Sequence, residues 1–363
     1  MRIPTANLRA AIEETRKDWQ ANLDALIERN HYILGPEVAR FEKRFAELMG
    51  AKHAVGVSSG STAIELCLRD AKVEGETITS ALTAPFTAVS IAAAGATPRF
   101  ADVLEDTLQV SPDDMGNRIT KKTKALLPVH LYGQPCAIER IAKLSKLPLI
   151  QDACQSHGAR WHEAKALAAF GDYVTYSFYP TKNLGCLGDG GAIVTNKASV
   201  AKRLRQLRDG GRKPGTQIAE VTGINARLDE LQACFLNAFA EKLEAWNARR
   251  KDLAAIYDEG LREVDGIQLI KTQRCSVRHL YVVRAKKRDR LRRHLEGKGI
   301  LTGVHYPVPL HLHPAFAAAK QKKGSLPVAE KACQEIVSLP LFPHLEVAAV
   351  ERVVEEIRSF YGQ

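Results

Sequence analysis

The sequence predicts an α/β protein, with a large domain on a mostly parallel sheet between helices and a smaller C-terminal α+β domain. Three observations lead there. At 363 residues the chain exceeds one ordinary core and suits two domains. Its first two thirds alternate short apolar runs with helical stretches, the pattern of a sheet covered on both faces. After about residue 228 that alternation gives way to a long helical stretch and then mixed elements. We place the boundary so that residues 1–235 form the large, catalytic domain and 236–363 the small one.

In chain order, residues 36–49 read as an amphipathic helix with Val38, Phe41, Phe45 and Met49 on one face. Strands are expected at 53–57, 77–82, 97–103, 124–130, 147–153, 173–179 and 192–196, with helices at 111–119 and 137–145 among them. Downstream the pattern predicts one helix from Asp229 to about Leu261, strands at 266–270 and 279–285, a basic helix at 288–298 and a closing helix at 346–360. In sheets of this kind ligands bind at the carboxyl ends of strands. The unusual residues of this sequence lie there.

Composition excludes several classes. No apolar run reaches the roughly 18 residues of a membrane span, and no secretory signal is expected at the first residues. Seven cysteines without a CxxC pair argue for a reducing, cytoplasmic setting and against a zinc site. The net charge of +11 concentrates at 200–213, 284–298 and 320–323. Interleaved acids make these segments read as solvated helix faces; the other reading is attraction of an anionic partner such as a phosphorylated small molecule. No nucleic-acid-binding signature accompanies the charge, so neither nucleic acid nor membrane is an expected partner. His311 and His313 form an H-x-H pair near His305, but no carboxylate or cysteine cluster joins them, and no metal is expected.

Three segments carry chemistry. In V-S-S-G-S-T-A-I-E-L (57–66) a strand ends, small residues turn, and a helix begins at about Thr62. Its N-terminal N–H groups suit a phosphate, and the same residues serve equally as an N-cap. In P-L-I-Q-D-A-C-Q-S-H-G-A (148–159), Asp152 sits where an apolar strand stops. It could pair with a protonated ring nitrogen, or be a helix cap or structural ion pair. In Y-S-F-Y-P-T-K-N-L-G-C-L-G-D-G-G-A-I-V-T-N (176–196), Lys182 lies just past a strand end in a segment poor in charge. A lysine in an apolar pocket can lose its proton and act as nucleophile or base. Cys154 and Cys186 flank these positions and read as small packing residues.

Several ordered motifs together resemble the DegT/DnrJ/EryC1/StrS family of nucleotide-sugar aminotransferases. They are Y-I-L-G-P-E-V-A-R-F-E (32–42), V-H-L-Y-G-Q-P (129–135), Q-D-A-C-Q-S-H-G-A, S-F-Y-P-T-K-N-L-G, G-I-N-A-R (223–227) and V-H-Y-P-V-P-L-H (304–311). The resemblance implies the fold-type I pyridoxal 5′-phosphate (PLP) transferase architecture. It implies Lys182 as the lysine that forms a Schiff base with PLP, Asp152 at the pyridinium nitrogen and Gln155 at the ring hydroxyl. Gly60, Ser61, Thr62 and Ser177 would hold the phosphate. Asn225 would reach the cofactor phosphate of a neighbouring subunit in a homodimer with shared sites. Tyr179, Arg227, His305, Tyr306 and His311 would contact the substrate, a nucleotide-linked keto sugar, with an amino acid such as L-glutamate as donor. The ring-stacking residue is placed at Phe86, which reads equally as a core phenylalanine.

Tyr179, three residues before the lysine, and G-D-G-G at 188–191 resemble family members that act at C3 of the sugar. The alternatives are a 4-keto-sugar aminotransferase and a non-catalytic regulatory protein of the same fold. A sugar dehydratase of that fold would carry histidine in place of Lys182.

Overall fold

The structure, a computed structural model, describes residues 2–162 and 164–362. Strand His53–Val57 pairs antiparallel with Gly191–Thr195, which pairs antiparallel with Tyr173–Ser177, which pairs parallel with Ile150–Asp152. Parallel bridges Leu126–Leu149 and Val129–Asp152 continue this sheet into a parallel ladder of Thr123–Leu127, Glu76–Ser80 and Thr97–Ala101. Gly191–Thr195 is thus the strand that runs against the others, as the mostly parallel expectation allows. All seven expected strands form, most ending earlier than expected, while Glu76–Ser80, Thr123–Leu127 and Gly191–Thr195 each start one residue earlier.

One core packs helix Pro36–Met49 against the sheet through Val38, Phe41, Phe45 and Met49, the expected face. Pro36 opens the helix and Gly50, at φ 66°, ends it in the left-handed conformation that favours glycine. The buried Glu230 carboxylate caps its start, accepting from the N–H groups of Gly35, Glu37 and Val38 at 2.9, 2.9 and 2.7 Å. That cap ties the beginning of the chain to helix Glu230–Ala240.

The single helix expected over 229–261 is two, Glu230–Ala240 and Leu243–Leu261, broken at Glu241 and Lys242. The first buries Phe235 and Phe239 in the large-sheet core. The second begins in that core with Leu243 and Trp246, and places Leu253, Tyr257 and Leu261 in another. This other core lies on an antiparallel sheet in the order Ile267–Leu269, Tyr281–Ala285, Ile336–Leu339. Helices Arg288–Gly297 and Val347–Phe360 cover it, near their expected positions. Helices Leu8–Glu14, Arg16–Arg29 and Pro327–Glu335 and strand Ile336–Leu339 were not foreseen. Among the described residues no helix is long and apolar enough to cross a membrane.

Candidate active site

A cavity of about 830 Å³ opens at the carboxyl ends of the strands. The loop between Tyr173–Ser177 and Gly191–Thr195 delivers Lys182 to it. This loop turns tightly: Lys182 N–H donates to the Tyr179 carbonyl at 2.8 Å, and a Cβ on Gly185 would sit 2.5 Å from the Pro180 oxygen. Only glycine fits there. Asn183 then locks the loop. Its amide donates to Asn247 Oδ1 at 2.7 Å and the Val277 carbonyl at 2.9 Å, and its oxygen pairs with His279 Nδ1 at 2.9 Å. No hydrogen bond or ion pair among the described residues ends on the Lys182 amine. Burial lowers its pKa from the ordinary lysine value, against the opposing pull of Cys154 and Asp152.

Asp152 ends strand Ile150–Asp152 and is buried. Thr87 Oγ1 donates to its Oδ2 at 2.8 Å and the Cys154 N–H to its Oδ1 at 3.1 Å. The carboxylate is therefore aimed and held. Gln155 Oε1 accepts from Tyr132 N–H at 2.7 Å, and its Nε2 donates to the Tyr306 hydroxyl at 3.0 Å. Behind Lys182, burial and the lysine's charge lower His157 to about 3, so the ring is neutral and its Nε2–H donates to the Ser177 carbonyl at 2.9 Å. Burial lowers His305 too, and its Nδ1 pairs with Ser338 Oγ at 2.7 Å.

Helix Gly60–Asp70 points its N-terminus at this cavity. A Cβ on Gly60 would lie 2.7 Å from Ser177 Cβ and 2.8 Å from Cys154 Sγ, so glycine is what brings the helix start against the strand ends. Ser59 is the N-cap, and its side chain and that of Thr62 satisfy each other's backbone N–H groups.

The cavity therefore brings together Gly60, Ser61, Phe86, Asp152, Gln155, Ser177, Tyr179, Lys182, His305 and Tyr306. Phe86 is 65% exposed, which removes its reading as a core residue. Four expected residues stand outside it. Thr62 is turned into the capping pair with Ser59, so its hydroxyl is spent on the helix. The His311 side chain is fully buried and pairs through Nε2 with Glu330 Oε1 at 3.0 Å, so it does not reach the cavity as the substrate contact expected of it. Arg227 pairs with Asp209 at 3.0 Å, and Asn225 bridges to Asp209 along the backbone. The three histidines of the 305–313 segment take separate partners, with His313 on the Val308 carbonyl.

Sequence reasoning missed Thr87 as the partner of Asp152, the Asn183–Asn247–His279 lock, Arg250, and the N-terminal stretch of Thr5 to Ile12 that walls one side. The Ser59–Thr62 spacing was itself a capping signal.

These residues fit a phosphorylated pyridine aldehyde. The first-turn N–H groups of Gly60 and Ser61 take no protein acceptor among the described residues and face the cavity, a lysine of lowered pKa lies beside them, and a fixed carboxylate lines the same cavity.

Residues 13–358 match the profile of a family described as the DegT/DnrJ/EryC1/StrS aminotransferase family. A Streptomyces venezuelae relative named dTDP-3-amino-3,4,6-trideoxy-alpha-D-glucose transaminase is 41% identical over 366 residues, 99% of this chain and 96% of its own. A Geobacillus stearothermophilus relative named Pleiotropic regulatory protein is 41% identical over 370 residues, 99% of each chain. Among solved structures, S. venezuelae DesV is similar at TM-score 0.96 and 41% identity, over 100% of this chain and 99% of that one. NtdA from Bacillus subtilis, solved with bound cofactor PMP, is similar at TM-score 0.93 and 28% identity, over 100% of this chain and 86% of that one.

Proposed function

Because the chain belongs to the DegT/DnrJ/EryC1/StrS aminotransferase family, we propose that it moves an amino group from an amino acid to C3 of a nucleotide-linked keto sugar. Its cofactor is pyridoxal 5′-phosphate. The observation that carries this reading is one cavity holding both a lysine of lowered pKa and the buried, doubly hydrogen-bonded Asp152.

When bound, the cofactor supplies an electron sink for the carbon beside the transferred nitrogen. The chain does the rest. Burial raises the share of Lys182 present as free amine, the form that can attack a carbonyl or take up a proton. Thr87 and the Cys154 N–H hold Asp152 as an acceptor for a ring N–H. Gly60, Ser61 and Ser177 are suited to the phosphate, and Phe86 to a ring face. Gln155 links the cofactor side to Tyr306 on the substrate side, where Tyr179 and His305 also stand.

The finer reading has further parts. The amino donor is L-glutamate, the enzyme works in the cytoplasm, and residues 1–235 and 236–363 act as large and small domains. The separate cores on the two sheets support two domains, with the changeover along helix Leu243–Leu261. Asn225 and Arg227, outside this chain's own cavity, serve the site of a second copy in a homodimer. Action at C3 is supported by Tyr179 and Asp189, which both line the cavity, and by the name of the S. venezuelae relative.

The regulatory reading has one observation in its favour, the Geobacillus relative. Against it, Lys182, Asp152 and Gln155 are assembled in one cavity. The test is to supply purified holoenzyme with L-glutamate and 3-keto or 4-keto nucleotide sugars and to locate the new amine by NMR. Amination at C3 is expected. Preference for the 4-keto isomers overturns the regiochemistry, and failure to aminate any keto sugar favours the regulatory reading.

A further inference from the structure

Three arginines are buried among the described residues: Arg208, Arg250 and Arg284. Arg208 rests on Glu42 at 2.5 Å, and Arg284 on Glu335 at 2.7 Å. Arg250, only 5% exposed, has no carboxylate within ion-pair distance among the described residues. Its Nη1 donates to the carbonyls of Leu341 at 2.9 Å and His279 at 3.4 Å. Its Nε has no partner, and no hydrogen bond among the described residues uses its Nη2. One of three nitrogens is engaged in a group that carries five donors. A buried charge left this way is unfavourable until an anion completes it. Burial lowers the guanidinium pKa to about 10, which still leaves it cationic at neutral pH.

Arg250 is the arginine that lines the cavity holding Lys182. Both cations depress the same two imidazoles, His157 and His279, so they flank one region. On the reading that the chain is an aminotransferase, we propose that Arg250 docks a carboxylate of the amino donor. An amino acid carries its carboxylate beside the reacting carbon, so that group must lie near Lys182. The sugar's diphosphate is a poorer match, because it brings more negative charge than one guanidinium already committed to two carbonyls can balance.

The test uses holoenzyme with Arg250→Lys and Arg250→Met. Single-turnover absorbance follows the L-glutamate and keto-sugar half-reactions separately, and calorimetry follows succinate as a non-reacting carboxylate probe. Arg250→Lys, which keeps a cation near the carbonyls, is expected to weaken L-glutamate by about 100-fold, to abolish succinate binding and to leave the keto-sugar half-reaction unchanged. Unchanged donor affinity, or equal weakening of both substrates, overturns the assignment. Should neither variant fold, competition in the unsubstituted holoenzyme decides: succinate must compete with L-glutamate, and its failure to do so also overturns the assignment. A holoenzyme that accepts no amino acid fails the aminotransferase reading itself, whereas variants with wild-type donor affinity fail only the role of Arg250.

Discussion

Thr87 and Asp152, on different elements and 65 positions apart, meet in a buried 2.8 Å hydrogen bond in which the threonine hydroxyl donates to the carboxylate. A buried hydrogen bond to a charged group contributes roughly 1.5–3 kcal/mol. Thr87→Val keeps the shape and removes the donor. It is expected to lower kcat by about 10- to 100-fold without unfolding the protein. Asp152→Asn, which removes the charge itself, is expected to cost more than Thr87→Val. Steady-state kinetics beside thermal melts check the pair. A wild-type kcat in Thr87→Val would mean that the carboxylate needs no aiming.

The lowered pKa of Lys182 makes a pH prediction for the cofactor-free protein. Between the folded pKa and the ordinary value of about 10.4, the unfolded chain binds the proton that the folded chain has lost. Stability therefore rises with pH through that window, and the burial penalty is fully present below the folded value. Lys182→Met is expected to melt higher than wild type at neutral pH, with an advantage that shrinks as pH approaches the ordinary lysine range. Thermal melts across pH check it. An advantage that does not change with pH would contradict burial as the cause.

Asn225 and Arg227 stand outside the cavity of their own chain, Arg227 on Asp209 at 3.0 Å. If they serve a second copy, Lys182→Ala and Asn225→Ala must complement. Each is expected to be inactive alone, and equal mixtures after dissociation and reassociation should regain about a quarter of the sites, since half of the dimers then hold one intact site. No recovery in proven heterodimers would place Asn225 in a role within its own chain.

The strands and the Lys182 loop were legible because their signals are local. Short apolar runs were expected at 147–153 and 173–179, Asp152 stood where the first stops, and Lys182 followed just past the second in a segment poor in charge. What was not legible depends on partners far away in sequence. Thr87 is an ordinary threonine until Asp152 is beside it. Arg250 sits within a helix whose sequence shows only alternating charge and apolar residues, and its isolation emerges once Leu341 and His279 close around it. His311 pairs with Glu330, nineteen positions on, and that contact turns it away from the cavity. The break at Glu241 and Lys242 was hidden because both flanking stretches read as helical, and the residues on either side of it, Phe239 and Leu243, are buried in one core.

The most direct measurement is to map the covalent link between protein and cofactor. Holoenzyme is reduced with borohydride, digested, and its peptides sequenced by mass spectrometry. The account predicts a single pyridoxyl-modified lysine, Lys182, and no modified peptide from Lys182→Ala. A pyridoxyl group on another lysine, or an unmodified Lys182 in protein that retains aminotransferase activity, would contradict it.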